Sequence, residues 1–546
     1  MGHDDTSNLW DRPRSRRMIL KGGLVAGVGL VPLIGAACNL ASTSTPSPSG
    51  PGASPSGSSG PSGSTGPASS PSGPPSKPTG TLRVAIPGQP NFIDPSQMLE
   101  VTDASVVRNV YDGLLEWNED YSELSPALAT DWTANQDATV WTFKLRSGVT
   151  FHDGAVFDSH AARKTVEYYK DKNWGLIFAN LASIDDSDPT VLKLSFSKPS
   201  PDLARNQTMC KMISPKLIDA NAAGEQAVGT GPYKWVSWDK NVGVTLAANE
   251  NYWGQKPYLE TIKFLAVVDT TSAIVGLQAG DIDLVLKVPP RQVQALSLSD
   301  KLSHATTDSW VESNLICTTQ LPIIGDVRVR QAIMYALDRE AICRDILLNQ
   351  AAVDLTVMPP GAYGYHPAAT KYSHDPDKAR ALLKEAGFAT GPTIKMAAAA
   401  LIRVMGEEVA QATIGQLNAA GFDASLDIME AGAWVSDYLK SNHPLYQTEY
   451  GWTNGGPFHF TLGSLTDHPH WTGKTILDLV DKVRTTPDGP DRLNLLAQLQ
   501  DQYMIDLPEI PMYSLKLTDV FTAKLKGYRN PKDGYQTRLG GAYLTA

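Results

Sequence analysis

Between Ser42 and Gly80 almost every residue is Ser, Pro, Gly or Thr, and such a stretch cannot bury enough apolar surface to offset the entropy of ordering its backbone. It divides the chain. Whatever folds must come from Thr81 to Ala546, a segment too long for one compact core, so two or three domains are expected there.

The residues ahead of the tract have another character again. "RPRSRRMILKGGLVAGVGLVPLIGAAC" carries a basic leader ending at Arg16-Arg17, an apolar stretch from Met18 to Ile34, and small residues running into Cys38. That is the layout of an export signal. Ser15-Arg16-Arg17 followed by Ile19-Leu20-Lys21 resembles the twin-arginine pattern, the alternative being a general secretory signal with a chance arginine pair. The small residues before Cys38 resemble a bacterial lipobox, in which Cys38 becomes the lipidated first residue. Gly35 stands where leucine is usual, and cleavage at an alanine-rich site without lipidation is the alternative. Residues 1–38 are thus expected to be a signal peptide and 39–80 a disordered tether, which lets a folded body stand away from a membrane anchor.

Formal net charge is −10, and no basic run or arginine–aromatic interleaving occurs in the body of the chain, which argues against a nucleic-acid surface. Cys210, Cys317 and Cys343 lie too far apart in sequence for the close spacing of a zinc or redox site, and are expected as buried small apolar residues. No phosphate-binding GxxxxGK[ST] loop is present, and no apolar span beyond the leader is long enough to cross a membrane.

The body has an α/β texture. "TLRVAI" reads as a strand, and Val106, Val107, Val110 and Leu114 recur at helical spacing, which predicts a helix over 104–115. Trp141, Phe143 and Leu145 alternate with Thr142, Lys144 and Arg146, a half-buried strand. "YKWVSW" and "GVTLAAN" predict two more strands, so the glycines of Gly229-Thr230-Gly231-Pro232-Tyr233 lead into a strand and do not cradle phosphate. Asp375, Asp326 and Asp338 each stand where a helix N-cap is expected, and "AGDIDL" reads as a turn feeding a buried strand.

His152 and Asp153 raise the question of a catalytic pair. They adjoin in extended chain, where neighbouring side chains point to opposite faces, and no Ser, Cys or Thr nearby sits in a nucleophile context. Asp153-Gly154 is expected to be a turn.

"LSPALATDW", "WTFKLRSGVTFHDG" and "GTGPYKWVSWDKNVGVTLAANENYWG", followed in order by "IVGLQAGDIDL", "DVRVRQAIMYALDREAI", "DPDKARALLKEAGF", "LNAAGF" and "DLPEIPMYSL", resemble the family 5 (peptide/nickel type) solute-binding proteins of ABC transporters. The resemblance covers essentially all of 81–546. It implies an α/β, two-lobed periplasmic-binding-protein-like fold (type II, three-subdomain cluster C) with a hinge and an interlobe ligand cleft. On that resemblance lobe I comprises 81–118, 226–308 and 516–546, the inserted subdomain II is 119–225, and lobe III is 309–515.

"TEYGWTNGGPFHF" at 448–460 corresponds to the segment that reaches the ligand in the family, and implies Trp452, Asn454, Tyr450 and Glu449 as ligand-binding residues. Trp452 offers a flat π-face and Asn454 can donate and accept hydrogen bonds; core packing and turn chemistry are their alternatives. Phe458 and Phe460 read as lining or core. Peptide-binding members commonly place an acidic residue shortly after the tryptophan to pair with the peptide ammonium, and this chain has Thr453-Asn454-Gly455-Gly456 instead. An ammonium buried without a counter-charge is costly, so Glu449 or Asp437 would have to replace it, or the solute is a saccharide or a metal chelate. His443, His459, His468 and His470 cluster near this segment, and surface-loop histidines are the alternative to metal ligands.

The resemblance further implies a binding protein that is not an enzyme and carries no cofactor or resident metal, partnered by a small-molecule or peptide ligand and by ABC permease and ATPase subunits. The expected form is a monomer held at the outer face of the cell membrane by a lipid anchor. A secreted hydrolase and a receptor that senses without transport are the rival classes.

Overall fold

The chain enters its main sheet at β1 (Thr81–Ile86), whose buried Leu82 and Val84 alternate with more exposed neighbours before the strand ends fully buried. The computed structural model describes residues 73–98, 100–296, 300–399, 405–457, 470–471, 473–534 and 537–545. The leader, Cys38 and most of the tether lie outside the described residues.

Helix Val101–Val110 follows, begun by a capping box in which Glu100 and Asp103 exchange side-chain and backbone hydrogen bonds. It starts three residues earlier and stops sooner than periodicity predicts. Tyr111 is already extended, and a Cβ at Gly113 would lie 2.6 Å from the Gln207 carbonyl oxygen. That close backbone approach holds the chain out of the helix and feeds it into a hairpin of β2 (Leu115–Trp117) and β3 (Leu124–Pro126).

β4 (Ala129–Ala134), β5 (Val140–Leu145), β6 (Leu181–Asp188) and β7 (Val191–Phe196) form an antiparallel sheet in the order β4, β5, β7, β6. Trp141, Phe143 and Leu145 face its core, as their alternation predicts. After helix Leu203–Asn206 the chain returns to the main sheet as β8 (Tyr233–Asp239), β9 (Gly243–Ala248), β10 (Thr261–Ala266) and β11 (Leu284–Val285).

A long strand, β12 (Leu302–Cys317), then carries the chain across the molecule. On the far side lie β13 (Ala351–Val353), β14 (Thr393–Ala399), β15 (Asp423–Met429) and β16 (Leu445–Gly451), and β17 (Glu509–Thr522) brings the chain back. The sheet order is β15, β14, β16, β12, β17, β11, β1, β10, β9, β8, with β13 also paired to β17. Two α/β lobes therefore share one sheet through two antiparallel strands. Their mutual register shifts between Asp308 and Glu312, and such a bulge bends and twists a strand pair.

Asp326, Asp338 and Asp375 cap helices through their carboxylates. The helix begun at Asp338 is short and passes into a π-turn over Ile342–Ile346. Among the described residues no helix is long and apolar enough to cross a membrane.

Candidate functional site

Three strands meet where the lobes join. In β12, Glu312 stands opposite Tyr450 of β16 and Ser514 of β17, while Ser313 stands opposite Glu449 and Tyr513. Opposed residues share a face and successive ones alternate. Tyr450 and Trp452 therefore accompany Glu312 and Asn314 on one face, and Glu449 belongs to the other with Tyr513.

On the first face Trp452 is 1% exposed and its Nε1 donates to Glu312 Oε2 at 2.6 Å. Its backbone N–H donates to the Trp310 carbonyl at 2.8 Å. The Tyr450 hydroxyl donates to Glu509 Oε2 at 2.8 Å and accepts from Asn314 Nδ2 at 2.9 Å. Glu312 is fully buried, and desolvation, reinforced by the carboxylates of Asp354 and Glu509, pushes its carboxyl well above the usual range against the hydrogen bond from Trp452. Asp354 is pushed up to about 7 by burial, opposed by the Ser514 hydroxyl that donates to it at 2.6 Å and by Arg339.

Asn454, also buried, reaches the segment that follows the four-stranded sheet. Its Nδ2 donates to Asn206 Oδ1 at 2.7 Å, while its Oδ1 accepts from the Gly456 N–H at 3.0 Å. Beside Asn206, Arg205 lies over the Tyr363 ring at 3.7 Å and donates to Asp488 at 2.6 Å. Arg492, with a fully buried side chain, donates to both carboxylate oxygens of Asp202, at 3.0 and 2.6 Å. Asp202, Arg205 and Asn206 follow the four-stranded sheet; Asn454, Asp488 and Arg492 lie beyond β12. These bonds join the segment that follows the four-stranded sheet to segments beyond β12.

Aromatic rings fill the space between. Trp310 of β12 meets Trp117 from the β2–β3 hairpin edge-on at 5.5 Å between centroids, and Tyr121 at 5.6 Å. Gly455, at φ +62°, sits so close that a Cβ there would be 2.6 Å from the Trp310 ring and 2.7 Å from that of Trp117.

Trp452, Tyr450 and Asn454 thus come together at the lobe junction, and Glu449 does not join them. Asp437 is engaged elsewhere: burial opposes it, but hydrogen bonds from Asn442, Tyr446 and His443 hold its carboxyl below the usual range. Phe458, His459, Phe460 and His468 lie outside the described residues. His443 is caught between Asp437 and Asp427 at 2.6 and 3.2 Å, and His470 Nδ1 is 3.0 Å from the Thr318 hydroxyl. Among the described residues no group of three or more His, Cys, Asp or Glu side chains is arranged to hold a metal.

His152 and Asp153 are not paired. The His152 ring donates from Nε2 to the Gly231 carbonyl at 2.9 Å, and burial drives its pKa down to about 4. Asp153 accepts from the Ser214 hydroxyl at 2.5 Å. Cys210, Cys317 and Cys343 are buried and free.

Sequence reasoning overlooked Glu312, Asp354, Trp310, Trp117 and Asn206. The one local signal was Glu312 itself, a lone carboxylate in the otherwise uncharged run "WVESNLIC", which in a central strand needs a partner.

A shared sheet crossed twice, with the polar and aromatic groups concentrated where two lobes touch, defines a two-lobed binding protein. The model of the bacterial extracellular solute-binding proteins, family 5, matches residues 123–470, and the chain belongs to that family. The glutathione-binding protein GsiB of Escherichia coli strain K12 is 25% identical over 473 residues, covering 82% of this chain and 91% of its own. Among solved structures, DppA from Helicobacter pylori in complex with the peptide STSA superposes with a TM-score of 0.76 at 22% identity, covering 86% of this chain and 98% of its own. NikZ from Campylobacter jejuni in complex with Ni(L-His) gives 0.72 at 22% identity, with 82% and 95% covered.

Proposed function

We propose that this chain is the lipid-anchored, extracytoplasmic binding component of an ABC importer, which closes its two lobes on a peptide-like or other small solute and hands it to a membrane permease driven by a cytoplasmic ATPase. The observation that carries this reading is the direct bonding of the lobes through Asn454–Asn206 and Arg492–Asp202 beside the buried face of Trp452 and Tyr450. Closure of that kind excludes water and turns ligand binding into a change of shape that a permease can recognise.

In this reading lobe I is 81–118, 226–308 and 516–546, subdomain II is 119–225 and lobe III is 309–515, with the hinge at the register shift of β12 and β17. Export follows the twin-arginine route, the signal peptide is cleaved ahead of Cys38, Cys38 carries the lipid as the first mature residue, and 39–80 is the tether to the outer face of the membrane. The protein works as a monomer, needs no cofactor, and leaves its solute chemically unchanged.

The test is mass spectrometry of the solute released by denaturation from protein purified from its native host, followed by rebinding to the stripped protein and by uptake in a deletion strain. Stoichiometric rebinding with loss of uptake supports the reading. A product distinct from the added solute supports a hydrolase, and intact uptake supports a sensor. A saccharide or a metal chelate in the eluate would replace the peptide-like solute and leave the rest standing.

A further inference from the structure

His443 is 8% exposed, and both nitrogens of its ring face a carboxylate. Nδ1 lies 2.6 Å from Asp437 Oδ1, and Nε2 lies 3.2 Å from Asp427 Oδ2. A neutral imidazole has one N–H and one lone pair, so it donates to one of these acids and turns its lone pair on the other, whereas an imidazolium donates to both. Only the charged ring completes the two-sided contact.

The groups that face the ring come from four elements and from its own turn. β15 supplies Asp427 and helix Ala431–Tyr438 supplies Asp437. β14 supplies Lys395, whose ammonium lies 2.6 Å from Asp427 Oδ2. β16 supplies Tyr446, whose hydroxyl accepts from the His443 backbone N–H at 2.9 Å and donates to Asp437 Oδ1 at 2.8 Å. Asn442 donates to the other oxygen of Asp437 at 2.8 Å. Lys395 holds the Asp427 carboxyl below the usual range, and Asn442 and Tyr446 hold that of Asp437 below it against its own burial; His443 lowers both. The acids therefore stay ionised in mild acid. With the ring charged, two carboxylates meet two cations; without its proton, one negative charge is left over.

The contact grips a short helix at its C-terminal end. An eight-residue helix is marginal on its own, and Ala431–Tyr438 is anchored by its last residue, Tyr438, which packs with Ile316, Ala397 and Tyr446. Val435 and Leu439 are exposed.

We propose that His443 is a pH-operated clasp: in mildly acidic surroundings its charged ring fastens helix Ala431–Tyr438 to β15, and in alkaline surroundings the neutral ring releases one acid and the helix loosens. Through Tyr446 the helix rests on β16, the strand that leads into Trp452, so the clasp stiffens the support of that strand. It operates whatever the solute is.

Hydrogen exchange of the full-length protein at about pH 5.5 and about pH 8.5, on either side of ordinary histidine titration and corrected for intrinsic rates, reads the protection of 431–440 against that of helix Lys474–Thr485 as an internal reference. Wild type should lose protection about tenfold at the higher pH, as expected for one charge-assisted hydrogen bond. His443→Gln offers one donor and one acceptor at either pH, and should behave at both like wild type at the higher. Asp427→Asn can accept from a protonated Nε2 or donate to a bare one, and should keep the helix protected at both.

A wild-type protection ratio that does not change with pH overturns the proposal, and so does a variant of either kind that retains the wild-type difference. The two variants remove the pH response in opposite directions, so if near-ultraviolet circular dichroism shows one of them unfolded, the other decides.

Discussion

The contact between Asp202 and Arg492 joins the segment after the four-stranded sheet to a helix beyond β12, and Asp202→Asn tests its part in the proposed closure. Arg492 is fully buried and gives Asp202 two charge-assisted hydrogen bonds, at 3.0 and 2.6 Å. Its Nε donates to the Val483 carbonyl at 3.0 Å and another nitrogen to Asp488 at 2.6 Å, so the guanidinium stays anchored in its own lobe when Asp202 loses its charge. Each charge-assisted bond contributes roughly 1.5–3 kcal/mol where water is excluded, and opening the lobes returns much of that to solvent. A net loss of about 2 kcal/mol from the closed state follows, which reduces its population and weakens ligand affinity about 30-fold. Calorimetry measures the affinity, and small-angle X-ray scattering of the ligand-free protein should show a larger radius of gyration in D202N. Unchanged affinity together with an unchanged scattering profile would refute the assignment of this pair as a closure contact.

Buried acids make stability fall as pH rises through the mildly acidic range. Burial lifts Asp519 to about 6 and Asp354 to about 7. Between the ordinary value and the raised one the folded chain holds a proton that the unfolded chain has released, so the stabilisation is complete below about pH 4 and is lost as pH climbs towards 7. For Asp519 the difference is about 3 kcal/mol, and Asp519→Asn should flatten the dependence of Tm on pH between 5 and 7.5; a wild-type Tm that rises across that window would contradict this. Gly455→Ala places a methyl 2.6 Å from the Trp310 ring at φ +62°, and should cost about 1–3 kcal/mol in denaturant unfolding, with a larger loss in ligand affinity than Gly415→Ala, where the Cβ meets open space. The thiols of Cys210, Cys317 and Cys343 are buried and pushed up to about 12 by desolvation, so they should resist a thiol reagent in the native protein at pH 8 and all react in guanidinium chloride. Rapid labelling of the native protein would show that one of them is accessible.

Local patterning was sufficient for the strands and helix starts that depend on nearest neighbours. The alternation of Trp141, Phe143 and Leu145 and the caps at Asp326 and Asp375 are visible in a dozen residues because their cause is local. Helix Val101–Val110 ends early for a reason no window of that size contains, the approach of the Gln207 carbonyl to Gly113. The site divides in the same way. Trp452 and Asn454 stood out as unusual residues in a recognisable segment, but their partners Glu312 and Asn206 lie 140 and 248 positions away, and only strand pairing and lobe contact bring them near. Glu449 shows the converse. It is two positions after Gln447 and three before Trp452 in the chain, yet strand alternation turns it to the opposite face from its neighbour Tyr450.

The placement of β17 bears on how the protein is made. It lies between β11 and β12, pairing Phe521 with Leu284 on one edge and Thr522 with Leu302 on the other, and every other strand of that sheet is synthesised before it. Until β17 emerges, β11 and β12 face each other across a missing strand and expose unpaired backbone along both edges. A nascent chain can gather the β14–β16 segment and the four-stranded sheet early, but the central sheet is completed in one late step. A polypeptide interrupted before Glu509 therefore stays open at its middle, where chaperones and proteases can find it, so completion of the fold reports that synthesis has passed β17.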